Sequence, residues 1–142
     1  MAAARIGLIA VLLLACGPSP TAVQPPPEDA RPHPWFPREA VIVSFQHPPI
    51  YRLVWADLEM CTGLRTEDID DWTFWSVQGE TFGLAGTGET RYFGFAVGDP
   101  VRRIYLAEGA RMTPQVIRHE MLHALGAWDE QSPLFPLCEI PR

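Results

Sequence analysis

Residues 113 to 129, TPQVIRHEMLHALGAWD, constrain the fold of this chain more than any other stretch. Thr113 and Pro114 are a typical helix start, because threonine can cap the first turn and proline is tolerated at the first helical position. Gly126 favours a helix end, since glycine readily adopts the left-handed conformation found there. The segment between them is predicted to be an amphipathic helix whose core-facing residues are Ile117, Met121, Ala124 and Leu125.

Two histidines in this helix are spaced to bind one metal ion. His119 and His123 are four residues apart, a spacing that places both side chains on one face of a helix. Zinc binds imidazole nitrogens at about 2.0–2.1 Å, so the pair can supply two of its ligands. Glu120 cannot easily bind the same ion and can face the attacking water instead. His-Glu-x-x-His on a helix therefore predicts a zinc site with Glu120 as the general base of a hydrolase.

The third protein ligand is expected in the turn after the helix. A catalytic zinc ion commonly takes three protein ligands and one water. Gly126 allows a sharp turn, because glycine tolerates positive φ, and Asp129 follows three residues later. Asp129 is the preferred ligand, with Glu130 as its competitor, and Trp128 is a candidate to line the cleft. The alternative is that these side chains are ordinary polar and packing residues with no metal between them.

The stretch HEMLHALGAWD resembles the extended zinc motif of the metzincin-type zincin metallopeptidases. That family has His-Glu-x-x-His-x-x-Gly-x-x-His, and a subset similar to snapalysin has aspartate as the last ligand. The resemblance implies zinc ligation by His119, His123 and Asp129, with Glu120 as the catalytic base. Metzincins also carry a methionine turn downstream of the motif, whereas no methionine follows Met121 here.

The first 16 residues are predicted to be a bacterial lipoprotein signal peptide. One positive charge, Arg5, precedes an apolar run from Ile6 to Ala15, which is too short to span a bilayer and fits a signal-peptide core. The run ends in Leu-Leu-Ala-Cys, which resembles the lipobox whose cysteine, here Cys16, is lipidated. By the same resemblance, Gly17 favours the outer membrane. The alternative is ordinary secretory cleavage nearby, which gives a secreted or periplasmic protein.

Residues 17 to 37 are predicted to tether this membrane anchor to a folded domain. They contain eight prolines, and such a segment tends to be extended and does not form a packed core. Binding of a partner to the proline-rich segment is the alternative. The remainder, residues 38 to 142, is long enough for one small domain with a modest core.

Cys61 and Cys138 are predicted to form a disulfide. With Cys16 used for lipid, they are the even pair left in an oxidising compartment. The bond would close a long loop and stabilise the fold by about 4 kcal/mol in the chain-entropy model. It would also fasten the chain that follows Asp129 to an earlier helix. Two buried free thiols are the alternative.

Hydrophobic periodicity predicts four strands and two helices in residues 38 to 142. β-Branched and aromatic residues mark the strands, whereas Leu53, Val54 and Leu58 repeat with a helical rhythm that ends near Gly63. This order favours an α+β fold, a twisted mixed sheet with both helices on one side. It is similar to the zincin N-terminal subdomain, with a backing helix and an active-site helix. The predicted elements are, in order, strand 40–45, helix 51–64, strands 72–77, 91–97 and 103–107, and the motif helix.

Composition and motif together favour an enzyme. The net charge is −6 with no basic run, which argues against nucleic-acid binding. We expect a monomeric zinc metalloendopeptidase that acts on peptide or protein substrates, with residues 91–97 or 103–107 as the edge strand that pairs with an extended substrate. The alternative is a lipoprotein that binds zinc or peptides without catalysis. Glu120 favours the enzyme, since a purely structural zinc site does not need it.

Overall fold

The computed structural model describes residues 32–65, 68–88 and 91–141, which form a small α+β domain with a mixed sheet of four strands. The predicted signal peptide and residues 17–31 of the tether lie outside the described residues. Within the described part, no helix has the length and hydrophobicity needed to cross a membrane. The elements are, in chain order, β1 (Ile42–Phe45), α1 (Pro49–Thr62), β2 (Thr73–Val77), β3 (Gly94–Val97), β4 (Arg103–Ala107), α2 (Pro114–Ala124) and α3 (Leu134–Leu137).

The sheet has the strand order β1-β2-β4-β3, which places β3 at one end. β2 and β4 run parallel at the centre, with Phe74 beside Ile104. β1 and β3 flank them in antiparallel orientation. Because β4 pairs with a neighbour on each side, an extended substrate has no free edge to pair with there. Of the two strands predicted to receive a substrate, β3 is the one that ends the sheet.

Both long helices pack on one face of this sheet. Side chains alternate along β4, so Ile104 and Leu106 face the helices, where they are 1% and 0% exposed. Helix α1 adds Tyr51 and Leu58 to the same core, both fully buried. Helix α2, which carries the two histidines predicted to bind metal, is therefore held on its inner side by the sheet and by α1.

The opposite face of the sheet is covered by residues 35 and 36, which lie in the predicted tether. Phe36 is 1% exposed, and its ring centroid lies 4.7 Å from that of Tyr105 in β4. Trp35 packs beside it against the same face. The compact unit begins at Pro32, earlier than residue 38, because these two aromatic side chains bury enough apolar surface to hold a proline-rich segment in place.

A disulfide links α1 to the end of the described chain. The sulfur atoms of Cys61 and Cys138 are 2.05 Å apart, and the two residues are separated by 77 positions. Helix α3, one turn of four residues that the sequence did not predict, lies just before Cys138. It carries Phe135, which is fully buried, into the core beneath α2. The chain end is thus held against both long helices.

Candidate metal centre

Helix α2 carries His119, Glu120 and His123 in its second half. The helix begins after Thr113, whose backbone is extended, with a proline at its first positions. Gly126 follows the helix with a φ of 114°, a conformation that suits glycine and lets the chain reverse direction. The turn that follows then returns towards the two histidines.

Three side-chain atoms converge beside α2. The Nε2 atoms of His119 and His123 are 3.1 Å apart. Oε1 of Glu130 lies 3.3 Å from the first nitrogen and 3.2 Å from the second. The two histidine side chains are 21% and 12% exposed, whereas that of Glu130 is 53% exposed. The cluster is therefore shielded on the helix side and open to solvent on the glutamate side.

Backbone carbonyls fix the orientation of both imidazole rings. Nδ1 of His119 lies 3.2 Å from the carbonyl oxygen of Pro141, and Nδ1 of His123 lies 2.7 Å from that of Ala127. A carbonyl oxygen only accepts, so each Nδ1 carries a proton and donates it. In the neutral rings, each Nε2 then presents its lone pair to the cluster. This tautomer is the one that a metal-binding histidine adopts when its second nitrogen is hydrogen-bonded.

The cluster has the chemistry and the spacing of a cation site. Two lone pairs and a carboxylate oxygen are all acceptors, so their convergence is unfavourable unless a proton or a metal ion lies between them. Neighbouring ligands of a tetrahedral zinc ion, with bonds of about 2.0–2.1 Å, are about 3.3–3.4 Å apart. The observed separations of 3.1, 3.2 and 3.3 Å are close to that spacing. This set of three donors fits zinc.

The structure brings Glu130, and not Asp129, to the two histidines. Oδ1 of Asp129 accepts a hydrogen bond from the backbone N–H of Gln131 at 2.8 Å. Its carbonyl oxygen accepts another from the N–H of Ser132, also at 2.8 Å. These two bonds close a turn that directs the side chain of Glu130 back towards α2. Asp129 therefore shapes the turn, and the geometry favours its competitor Glu130 as the third ligand.

Glu120 lies in the wall of a cleft beside the cluster. It is 6% exposed, and it lines a cleft of about 340 Å³ together with His119, residues 91–93 and Gly94. Gly94, the first residue of β3, makes room for it, because a Cβ there would lie 2.6 Å from Glu120 Cδ. Burial, and secondarily the charge of Glu130, raise the pKa of Glu120 to about 8. Glu120 is thus a buried titratable group at the edge of an open cleft.

Two aromatic rings flank the histidines. The ring centroid of Phe135 lies 4.9 Å from that of His119 and 5.3 Å from that of His123. Trp128 stacks on His123 at 6.3 Å with an interplanar angle of 15°, and it is 51% exposed. The position of Trp128 next to Asp129 signals it in the sequence as a candidate to line the cleft, but it lines a separate pocket with Trp72 and Gly98 and not the cleft of Glu120. Phe135 carries no such signal, since α3 is too short to show a periodic pattern.

The structure brings the predicted residues His119 and His123 together with Glu130. Glu120 lies in the wall of a cleft that His119 also lines. The predicted lipidation residue Cys16 lies outside the described residues. Comparisons with protein-family models, with curated proteins and with solved structures found no match for this chain.

Proposed function

We propose that this protein is a zinc-dependent metallopeptidase with a zincin-like domain. The observation that carries the proposal is that one helix presents two converging imidazoles and a buried carboxylate next to a cleft. His119 and His123 offer Nε2 atoms 3.1 Å apart, and Glu120, between them in sequence, is 6% exposed. A purely structural zinc site has no use for such a carboxylate and usually fills its fourth position with a side chain.

His119, His123 and Glu130 would hold the ion, which leaves a fourth position for water or substrate. When bound, zinc would polarise the scissile carbonyl and lower the pKa of the attacking water. In its ionised form, Glu120 takes the proton of that water and passes it to the leaving amine, first as a base and then as an acid. Because Glu120 is packed against Gly94, its carboxylate is held in one place for both transfers.

The end of the sheet supports a peptide or protein as the substrate. β3 ends the sheet, and its first residue, Gly94, lies against Glu120. An extended peptide that pairs with β3 by β-addition would run alongside the cleft and pass the carboxylate. Main-chain hydrogen bonds would then supply much of the affinity, with side-chain pockets setting specificity.

Replacing Glu120 by glutamine separates catalysis from metal binding. Glutamine has nearly the same shape but cannot take a proton at neutral pH, so E120Q should bind zinc like the parent and cleave a mixed peptide library at least about 100-fold more slowly. Glu108, an exposed glutamate after β4, provides the matched control, and E108Q should change neither property. Cleavage by E120Q at the parental rate would rule out the general-base role.

The alternative function is a lipoprotein that binds zinc or peptides without catalysis. In this alternative the same three residues would bind zinc, but Glu120 would have no chemical role. Zinc binding with no cleavage of any peptide in the library would favour it. In either case we propose a protein of the bacterial cell envelope, anchored through lipidated Cys16 with the outer membrane favoured.

A further inference from the structure

The end of the described chain contacts the helix that carries the histidines. We define the C-terminal segment as Phe135–Pro141, which includes most of α3. It meets α2 through an aromatic ring and through two backbone carbonyl groups. None of these groups belongs to the set of three donors that fits zinc, but each contacts a donor residue or its neighbour in sequence.

The aromatic contact supports both imidazoles at once. Phe135 is fully buried, and its ring centroid lies 4.9 Å from that of His119 and 5.3 Å from that of His123. The interplanar angles are 52° and 64°, within the tilted range that aromatic pairs prefer. The ring therefore limits how far either imidazole can rotate away from the converging arrangement.

The carbonyl contacts hold the same helix from the segment's backbone. Pro141 accepts a hydrogen bond from Nδ1 of His119 at 3.2 Å. The carbonyl of Cys138 accepts one from Arg118, the residue before that histidine, at 3.2 Å. Cys138 is in turn bonded to Cys61 of α1, so the segment is fastened to a second helix that also packs on α2.

We infer that the C-terminal segment is the floor of the metal site and sets its affinity for zinc, with Phe135 and the Pro141 carbonyl as positioning groups. This role rests on the proposed metal ligands His119 and His123 and not on the proposed catalysis. It would therefore hold even if the protein binds zinc and cleaves no peptide. Groups that orient metal-binding histidines typically change metal affinity by about 10–100-fold when they are removed.

The test compares two buried phenylalanines of the same core. Phe135 contacts the histidines, whereas Phe74 on β2 is 2% exposed and packs against Phe45 and Tyr51. F135L and F74L should lower the melting temperature similarly, because both lose comparable buried apolar surface. Only F135L should weaken zinc binding, by about tenfold, measured by competition with a chromophoric chelator. It should also change the visible spectrum of the Co²⁺ form, which reports ligand geometry.

A second pair of variants tests the carbonyl without touching the core. Removing residues 141 and 142 deletes the acceptor of His119 Nδ1 and should weaken zinc binding about tenfold. Removing residue 142 alone converts the Pro141 carbonyl into a terminal carboxylate that can still accept from His119 Nδ1, so zinc affinity should not fall. Pro141 is exposed, so these truncations leave the core residues in place and remain informative if F135L fails to fold.

Each result has a distinct consequence. Parental zinc affinity and a parental Co²⁺ spectrum in both F135L and the two-residue truncation would overturn the inference. A parent protein that binds no zinc would overturn it together with the proposed function. Tight zinc binding that responds to Phe135 while no peptide is cleaved would support the inference and count against the peptidase alone.

Discussion

Gly94 is the position at which one added methyl group should separate catalysis from metal binding. A Cβ at this residue would lie 2.6 Å from Glu120 Cδ and closer still to its Cγ and Oε1. Ordinary contacts between non-bonded carbon atoms are about 3.5–4.0 Å, so the carboxylate must move by about 1 Å. Because Glu120 is only 6% exposed, it has little free space to move into without disturbing its neighbours.

We therefore expect G94A to lower kcat about 100-fold, since a displacement of about 1 Å from the productive geometry can cost that much. Zinc affinity should stay near the parental value, because the three atoms closest to the added Cβ all belong to Glu120. Overpacking costs about 1–3 kcal/mol, partly offset by about 0.5–1 kcal/mol from replacing glycine within a strand. The variant should remain folded.

The matched control places the same methyl group against a carboxylate outside the site. A Cβ at Gly109 would lie 2.7 Å from Glu80 Cδ, but Glu80 is exposed and can turn into solvent. G109A should thus keep parental activity. The assay is cleavage of a mixed peptide library, read by mass spectrometry, alongside zinc content. A folded G94A protein with parental kcat would show that catalysis does not depend on where Glu120 lies, and would refute this reasoning.

Three further outcomes are expected. E130Q should weaken zinc binding by more than the roughly 10–100-fold that is lost when a group orienting a ligand is removed. D129N can still accept from the Gln131 N–H and should bind zinc like the parent. The reverse result in isothermal titration would restore Asp129 as the ligand. Zinc at about 100 times its Kd should add about 2.7 kcal/mol of stability, a rise in Tm of roughly 10 °C, which Mg²⁺ should not reproduce; identical melting curves with and without zinc would argue against the site. C16S should move the protein from the membrane fraction to the soluble fraction, and an unchanged distribution on immunoblots would contradict lipidation.

Local sequence rules identify the metal helix because its signals lie close together. A proline at the first helical positions and Gly126 after the last turn bracket the helix, and the spacing of His119 and His123 within it brings their Nε2 atoms to 3.1 Å. β4 likewise spans its predicted residues, since four of its five positions are apolar or aromatic and turns lie on both sides. Where an apolar or ligand pattern is regular and turn residues mark both of its ends, the sequence is sufficient to predict the element.

The third ligand could not be chosen in the same way, because it depends on a turn. Asp129 and Glu130 differ by one position, and which carboxylate returns to the helix is decided by the hydrogen bond from Gln131 to Asp129 Oδ1. Asparagine and aspartate often close turns in this way, so the turn-forming role competes with ligation. The spacing from Gly126 alone does not show whether Asp129 forms the turn or binds the metal.

Contacts between residues far apart in sequence also could not be predicted from local patterns. The prolines of residues 32–37 predict an extended segment, whereas the structure has a turn there, closed by a hydrogen bond from the Phe36 N–H to the His33 carbonyl. Only the fold shows that Phe36 lies against the sheet. Phe135 similarly gains its role from the disulfide between Cys61 and Cys138, which brings the chain end to the histidines. Both contacts join residues far apart in sequence, and neither leaves a periodic signature.

The most direct test of a zinc peptidase is to measure bound zinc per chain and peptide cleavage on the same preparation, before and after chelation. One zinc ion per chain, with cleavage that disappears on chelation and returns when zinc is added back, is the expected result given the His119, His123 and Glu130 cluster. A protein that binds no zinc, or whose cleavage is unaffected by chelation, would contradict the proposal.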